Sequence, residues 1–260
     1  MTCAELTATF EGLGIPTGAP GFYEHPNFVA QAQQDPTFFE RYADFVLCQD
    51  HRSADIQNIV ARLVAAIGPI AAQSGARGSY IDAACATSWV LNQKGIWNFI
   101  VKGSLRASQD PEVDRFCHYD VSPSLAGRSD AGHAWVVAPP FFIVDPALQA
   151  QRYVEVNFYP RPSVGLAAAG ELSGSKPLSE YCSRELLSFA RFQPDLTSFI
   201  EQARVETEAT WEHVPPRQTI RNSVFLDYIP SKVAGPPDGW TPDSIGTLGR
   251  SARDFLLVVS

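Results

Sequence analysis

The stretch "GHAWVVAPPFFIVDPAL", Gly132 to Leu148, holds two apolar runs separated by Pro139 and Pro140, with His133 opening the first and Asp145 closing the second. Proline has no N–H to give to a strand ladder, so the pair belongs in a connection. The runs "HAWVV" and "FFIVD" therefore predict an antiparallel hairpin whose outer ends lie side by side. The midpoint of 133 and 145 is Pro139, so a register symmetric about the prolines sets His133 opposite Asp145. An imidazole beside a carboxylate has its tautomer fixed and its cationic form stabilised, an arrangement that has a chemical use once a nucleophile joins it.

Upstream, "GSYIDAACATSWVLNQKGIWNFIVKGSL" reads as a loop at Gly78 and Ser79, a short helix of small and apolar residues, Gly95 as its C-cap, and an alternating strand. This order places Cys85 at the helix start. There the unpaired N–H groups and the helix dipole lower a thiol's pKa and favour the nucleophilic thiolate. Cys85, His133 and Asp145 thus form the candidate catalytic set of nucleophile, base and orienting acid. The backbone N–H of Cys85 is the default oxyanion donor, with Tyr80 on the preceding loop as a candidate second donor. Trp89 and Trp135 are candidate walls of a substrate pocket, although each also suits an ordinary core. Asp82 reads as a helix cap.

The order of a helix-borne cysteine, then "HAW" on a strand, then an apolar strand ending "VDP", resembles the transglutaminase-like branch of the papain-like cysteine enzymes. The most specific part is His133-Ala134-Trp135 with Val144-Asp145-Pro146, and the resemblance spans about residues 78–148. It implies an α+β fold with a papain-like or transglutaminase-like core, helices packed on an antiparallel β-sheet. It also implies Cys85 as nucleophile, His133 as base and Asp145 as orienting acid. The sequence departs from the pattern around the cysteine, which follows Ala83-Ala84 and precedes Trp89 by four residues. The Arg-Gly-Gly-x-Cys approach of the related arylamine N-acetyltransferases is not found.

The remaining residues frame this core. "PTFFERYADFVLCQ" and "DIQNIVARLVAAIGPIA" place apolar residues at helical spacing and read as core helices. Arg62, Gly68 and Pro69 mark the second as a buried helix and not a membrane span. The first forty residues, rich in Gly, Pro and aromatics, read as an extended arm. Residues 106–131 are polar and turn-rich, a candidate lid or a solvated insertion. "QRYVEVNFY" is a candidate third strand. Beyond Pro160, "LSEYCSRELLSFARF" and "DLTSFIEQARVETEATWEHV" read as helices, and "DFLLVVS" closes the core as strand or helix. The division expected is residues 1–75 as N-terminal arm and helices, 76–160 as catalytic core, and 161–260 as a helical and loop-rich extension of the same domain.

A protein of 260 residues with 45% hydrophobic and 18% charged residues buries a proper core, and a net charge of -8 argues against nucleic acid or an anionic membrane as partner. Five dispersed cysteines without a CxxC pair suit reduced thiols better than disulfides. Together with an N-terminus that lacks a secretory pattern, this predicts a cytoplasmic protein, with export by a route without a cleaved signal as the alternative. Cys48 with His51, and Cys117 with His118, lack the second half of a zinc site and make poor dyads, so no metal is expected. No cofactor is required.

The function expected is acyl transfer through a thioester on Cys85, acting on an amide or peptide bond of a peptide, protein or small amide. Hydrolysis is favoured because water is the default acceptor. A glutamine deamidase or transglutaminase-type effector or toxin is the alternative within that chemistry. A non-catalytic module that uses the same fold to bind another protein is the alternative outside it. Oligomeric state is left open.

Overall fold

In a computed structural model of the protein, the two runs of the opening stretch are adjacent antiparallel strands. The structure describes residues 1–35, 37–49, 55–74, 79–108, 116–118, 132–150, 165–174, 176–178, 182, 184–244 and 246–259, with residues 116–118, 150 and 184–185 described by backbone alone. The candidate strand at 151–159 and most of the 106–131 excursion lie outside the described residues.

The sheet is antiparallel throughout. Its strands are β1 (Phe99–Ser108), β2 (Phe116–His118), β3 (His133–Ala138), β4 (Phe141–Asp145), β5 (Leu166–Ala168), β6 (Glu171–Leu172), β7 (Arg217–Arg221) and β8 (Val224–Ala234). Their order is β5-β4-β3-β1-β8-β7-β6, and β2 pairs with β1 beyond the end of β3. The two outermost strands, β5 and β6, are joined by only Ala169 and Gly170, so the sheet curls until its ends meet. Arg217 of β7 stacks over Phe142 of β4 at 3.6 Å and donates from Nη1 to the carbonyls of Ala169 and Gly170, at 3.3 and 3.0 Å. Gly170 has φ +66°, and a Cβ there would press on Ile143 at 2.9 Å, so glycine is required where the curl closes.

Alternation along β3 sorts the core onto two faces. Trp135 and Val137 join Phe99, Val101, Leu105, Leu226 and Tyr228 on the inner face of the curl. This cluster continues into helices α1 (Cys3–Gly12), α2 (Pro26–Gln34) and α3 (Phe38–Leu47). Phe10, Phe22, Phe28, Tyr42 and Phe45 meet there edge-on at 4.9–6.1 Å, the geometry aromatic quadrupoles prefer. Ala134, Val136 and Ala138 point outward, against α4 (Ile56–Ser74), α5 (Ser79–Gln93) and α8 (Ala252–Val258). Helices α6 (Arg184–Ala190) and α7 (Pro194–Thr210) pack with Ile229 of β8 in a third cluster.

The α+β class and the antiparallel sheet agree with the sequence, and several local expectations do not. The first forty residues are helical rather than extended. Thr2 and Glu5 form a capping box on α1, and Pro26 is set at the start of α2, where its missing N–H costs nothing. The C-terminal hundred residues are more than helix and loop, because they supply β5 to β8, and β8 pairs along most of β1. Cys3 and Cys48 form a disulfide between α1 and the end of α3, which corrects the expectation of reduced thiols and takes Cys48 out of any pairing with His51. His51 lies outside the described residues. Cys117 and His118 fall on β2, opposite Arg106 and Leu105.

Candidate active site

His133 and Asp145 do meet. Nε2 of His133 lies 2.7 Å from Oδ2 of Asp145, and the two residues are 1% and 0% exposed. The register that brings them together is not symmetric about the prolines. Val136 pairs with Val144, which aligns Asp145 with Trp135, and the ladder shifts before Ala138 pairs with Phe141. His133 therefore reaches Asp145 diagonally, across neighbouring positions of the same face, a separation a long side chain spans. The odd shift is absorbed next to the prolines, which have no N–H to hold an even ladder.

Asp145 accepts two further hydrogen bonds. The Tyr228 hydroxyl donates to Oδ2 at 2.7 Å, and the Ala147 N–H donates to Oδ1 at 3.0 Å. Three donors on one buried carboxylate fix it firmly, because a buried acceptor left without partners is expensive. Around the imidazole stand Trp135 (centroid 6.2 Å, stacked), Tyr228 (6.0 Å) and Tyr80 (5.7 Å). Tyr228 is not legible as a site residue in the sequence. Its one signal is the alternation of Val224, Leu226 and Tyr228 in "VFLDY", a strand set within a tail that otherwise reads as loops and short apolar runs.

Cys85 is elsewhere. Helix α5 begins at Ser79, so Cys85 is its seventh residue, in the second turn, and not at the start where unpaired N–H groups would activate it. Cys85 belongs to the buried cluster that includes Ala134, Val136 and Ala138 and against which Tyr80 also packs, while the His133 ring has Trp135, Tyr228 and Tyr80 as neighbours. The thiol makes no hydrogen bond among the described residues. Burial, with a smaller contribution from Asp82, pushes its pKa up to about 12. Lys102 offsets part of this rise.

Asp82 is not a cap. Its Oδ2 accepts from the N–H and hydroxyl of Thr247, at 2.7 and 2.6 Å, and ties α5 to the C-terminal segment. The other end of α5 is held by a buried polar network. Tyr23 bonds to Ser88 at 3.0 Å, Asn92 donates to Tyr23 at 3.0 Å, and Asn98 donates to Asn92 at 2.7 Å. Gly95 ends the helix as expected, at φ +71°. These ties set the rotation of α5, and the side chain of its first turn that meets His133 is Tyr80.

Trp135 lines a small cavity with Tyr228, Phe142 and Arg217. Trp89 packs in the outer cluster, with the Arg253 guanidinium over its ring at 5.7 Å. Among the described residues no group of three or more His, Cys, Asp or Glu side chains could hold a metal ion.

No protein-family model, curated protein or solved structure matches this sequence.

Proposed function

We propose that this protein is a binding module built on a transglutaminase-like core, in which the His133–Asp145 pair is kept as a buried anchor and no thiol is presented to it. The observation that carries this reading is the burial of Cys85, 2% exposed in the second turn of α5, while the Tyr80 ring of the first turn stands 5.7 Å from the imidazole. A phenol, with an ordinary pKa of ~10, is mostly protonated at neutral pH and a weak nucleophile. Cys85 lies in the core against Ala134 and Val136, with its thiol held protonated by burial. The core itself is supported by the sequence of elements. A helix is followed by strand β1, then by β3 opening on His133, then by β4 closing on Asp145. The partner is a protein or peptide.

A thiol hydrolase, deamidase or transglutaminase-type effector acting through Cys85 is the second reading, favoured by the 2.7 Å His133–Asp145 contact. It requires the Cys85 thiol, 2% exposed, to become accessible to a substrate. Iodoacetamide labelling of the folded protein at neutral pH separates the two. The binding module leaves Cys85 unlabelled, whereas Tyr80→Cys introduces a thiol beside His133 that labels rapidly and slows when His133→Gln is added. Stoichiometric labelling of Cys85 in the unmodified protein, faster than that of Cys182, restores the enzyme reading.

The Cys3–Cys48 disulfide favours an oxidising setting over the reducing cytoplasm expected from sequence. Mass spectrometry of the protein from its native source, alkylated without reductant, tests this by the presence of the linked peptide.

A further inference from the structure

The hairpin of α6 and α7 leaves large apolar side chains in water. Phe192, in the turn between the helices, is 85% exposed, and Phe189 of α6 with Phe199 and Val205 of α7 are 49–59% exposed. The Thr197 hydroxyl donates to the Ala190 carbonyl at 2.8 Å, so the end of α6 lies beside the first turn of α7. Phe189, Phe192 and Phe199 therefore share one end of the hairpin. The fold does not need these rings, because the hairpin is seated by Leu186 and Ile200, which it turns inward with Ile229. Large apolar side chains gathered on a surface mark a place where something docks.

The same face is strongly acidic. Asp195, Phe199, Gln202, Glu206 and Ala209 recur at helical spacing along one exposed stripe of α7, with Glu201 and Val205 beside it. Between Asp195 and Glu212 five carboxylates stand against one cation, Arg204, a net charge of -4 and half of the chain's -8. Arg204 is itself bonded to Glu201 and Glu208, at 2.9 and 3.3 Å. The 17 residues of α7 run about 25 Å, so acidic and apolar positions alternate along a ridge of that length. We infer that this ridge and the phenylalanines at its end form a docking surface for a basic amphipathic segment of a partner protein, a helix with Lys and Arg flanking an apolar stripe. Charge selects this occupant. An anionic membrane and a nucleic acid are both repelled, and a second copy would set two acidic ridges against each other. A basic amphipathic helix covers the rings with its apolar stripe and meets the carboxylates with its flanks.

Strand β8 links this surface to the buried pair. Tyr228 and Ile229 are consecutive and point to opposite faces, one onto Asp145 and the other into the cluster under α6 and α7. The inference rests on the reading of the protein as a binding module and names the class of its partner.

The test measures, by fluorescence anisotropy, binding of the full-length protein to a dye-labelled peptide of Leu and Lys in amphipathic helical order. A scrambled peptide of the same composition and a Leu–Glu counterpart are the controls. The amphipathic Lys peptide should bind at least about tenfold more tightly than the scrambled one, and its affinity should fall as salt is raised. The Glu peptide should not bind. Phe192→Ser with Phe199→Ser, and separately Glu201→Lys with Glu206→Lys, should each weaken binding about tenfold or more, whereas Glu11→Lys on α1 should not. All four positions are exposed, and one pair serves should the other fail to fold by circular dichroism. Equal binding of the scrambled peptide, or binding indifferent to both pairs, overturns the surface. Self-association, or binding to phosphatidylserine vesicles, that is lost in Phe192→Ser overturns the assignment to a basic partner. Thiol labelling is read separately. Failure of the peptide to bind while Cys85 stays unlabelled removes this surface alone, and rapid labelling of Cys85 removes the binding-module reading whatever the peptide does.

Discussion

His133 and Cys85 lie on elements in direct contact, α5 and β3, yet their environments have little in common. On the inner face, a polar pair is buried with every partner supplied. Asp145 takes His133, Tyr228 and the Ala147 N–H, and aromatic rings close around them. On the outer face, a thiol is packed among alanines and valines with no polar partner among the described residues. Both are almost fully buried, but burial stabilises the first through satisfied hydrogen bonds and the second through apolar contact alone. The difference shows that the order of Cys, His and Asp along a sequence does not by itself fix the setting of each residue. The face each residue occupies is decided by strand parity and by the rotation of one helix.

Asp145→Ala should sharpen this contrast most. It removes the acceptor of three buried donors and should cost about 3–5 kcal/mol in urea unfolding, at unchanged m-value. A cost below about 1 kcal/mol would mean that the trio is not an anchor. Asp145→Asn, which keeps the shape and one acceptor oxygen, should cost roughly half as much.

Cutting the staple beside the inner face comes next. Cys3→Ser or Cys48→Ser opens a link across 45 residues and should lower stability by about 3 kcal/mol. The same loss should appear in the unmodified protein on adding reductant, and a melting temperature indifferent to reductant would contradict the disulfide.

Cys85→Ala removes only a small apolar contact and should cost about 1 kcal/mol, with partner binding unchanged. Cys85→Ser should be worse than Ala, because it buries a hydroxyl among apolar side chains. If Ser proves the milder change, the thiol is not in an apolar site.

The smallest effect is on the pH dependence of stability. The folded-state pKa of Cys85 is raised, from an ordinary 9.0 to about 12. Its contribution is therefore complete below pH 9 and is lost as pH rises through 12. Cys182, raised to about 11 by burial, acts in the same direction. Stability should fall less steeply over this range for Cys85→Ala than for the unmodified protein in urea titrations at stepped pH. Identical slopes would place the thiol in contact with water.

Much of the local structure is legible in the sequence, because it rests on neighbouring residues. The apolar runs around Pro139-Pro140 are strands, "FFERYADFVL" and "IQNIVARLVAAIG" are helices, and Gly95 ends α5. Even the His133–Asp145 contact is legible, since a hairpin brings its own ends together, although the true register is shifted. Helix α1 is legible in principle from the Thr2–Glu5 capping box but is outweighed by the Gly and Pro residues that follow it. Other features carry no local signal. Asp82 looks like a cap and instead binds Thr247, distant in sequence. Cys3 and Cys48 are joined only because α1 packs on α3.

By itself the sequence determined that the runs around Pro139-Pro140 are strands, that α3 and α4 are helices, and that a histidine and an aspartate share one end of a hairpin, because periodicity and proline geometry act over a few residues. Tertiary structure alone decided that the Tyr80 ring stands beside His133, that Tyr228 completes the buried pair, and that Arg217 closes the curled sheet over Phe142. These depend on how α5 is turned and how far the sheet curls. Both are set by contacts between residues distant in sequence, such as Tyr23 with Ser88, Asp82 with Thr247 and Arg217 with Phe142.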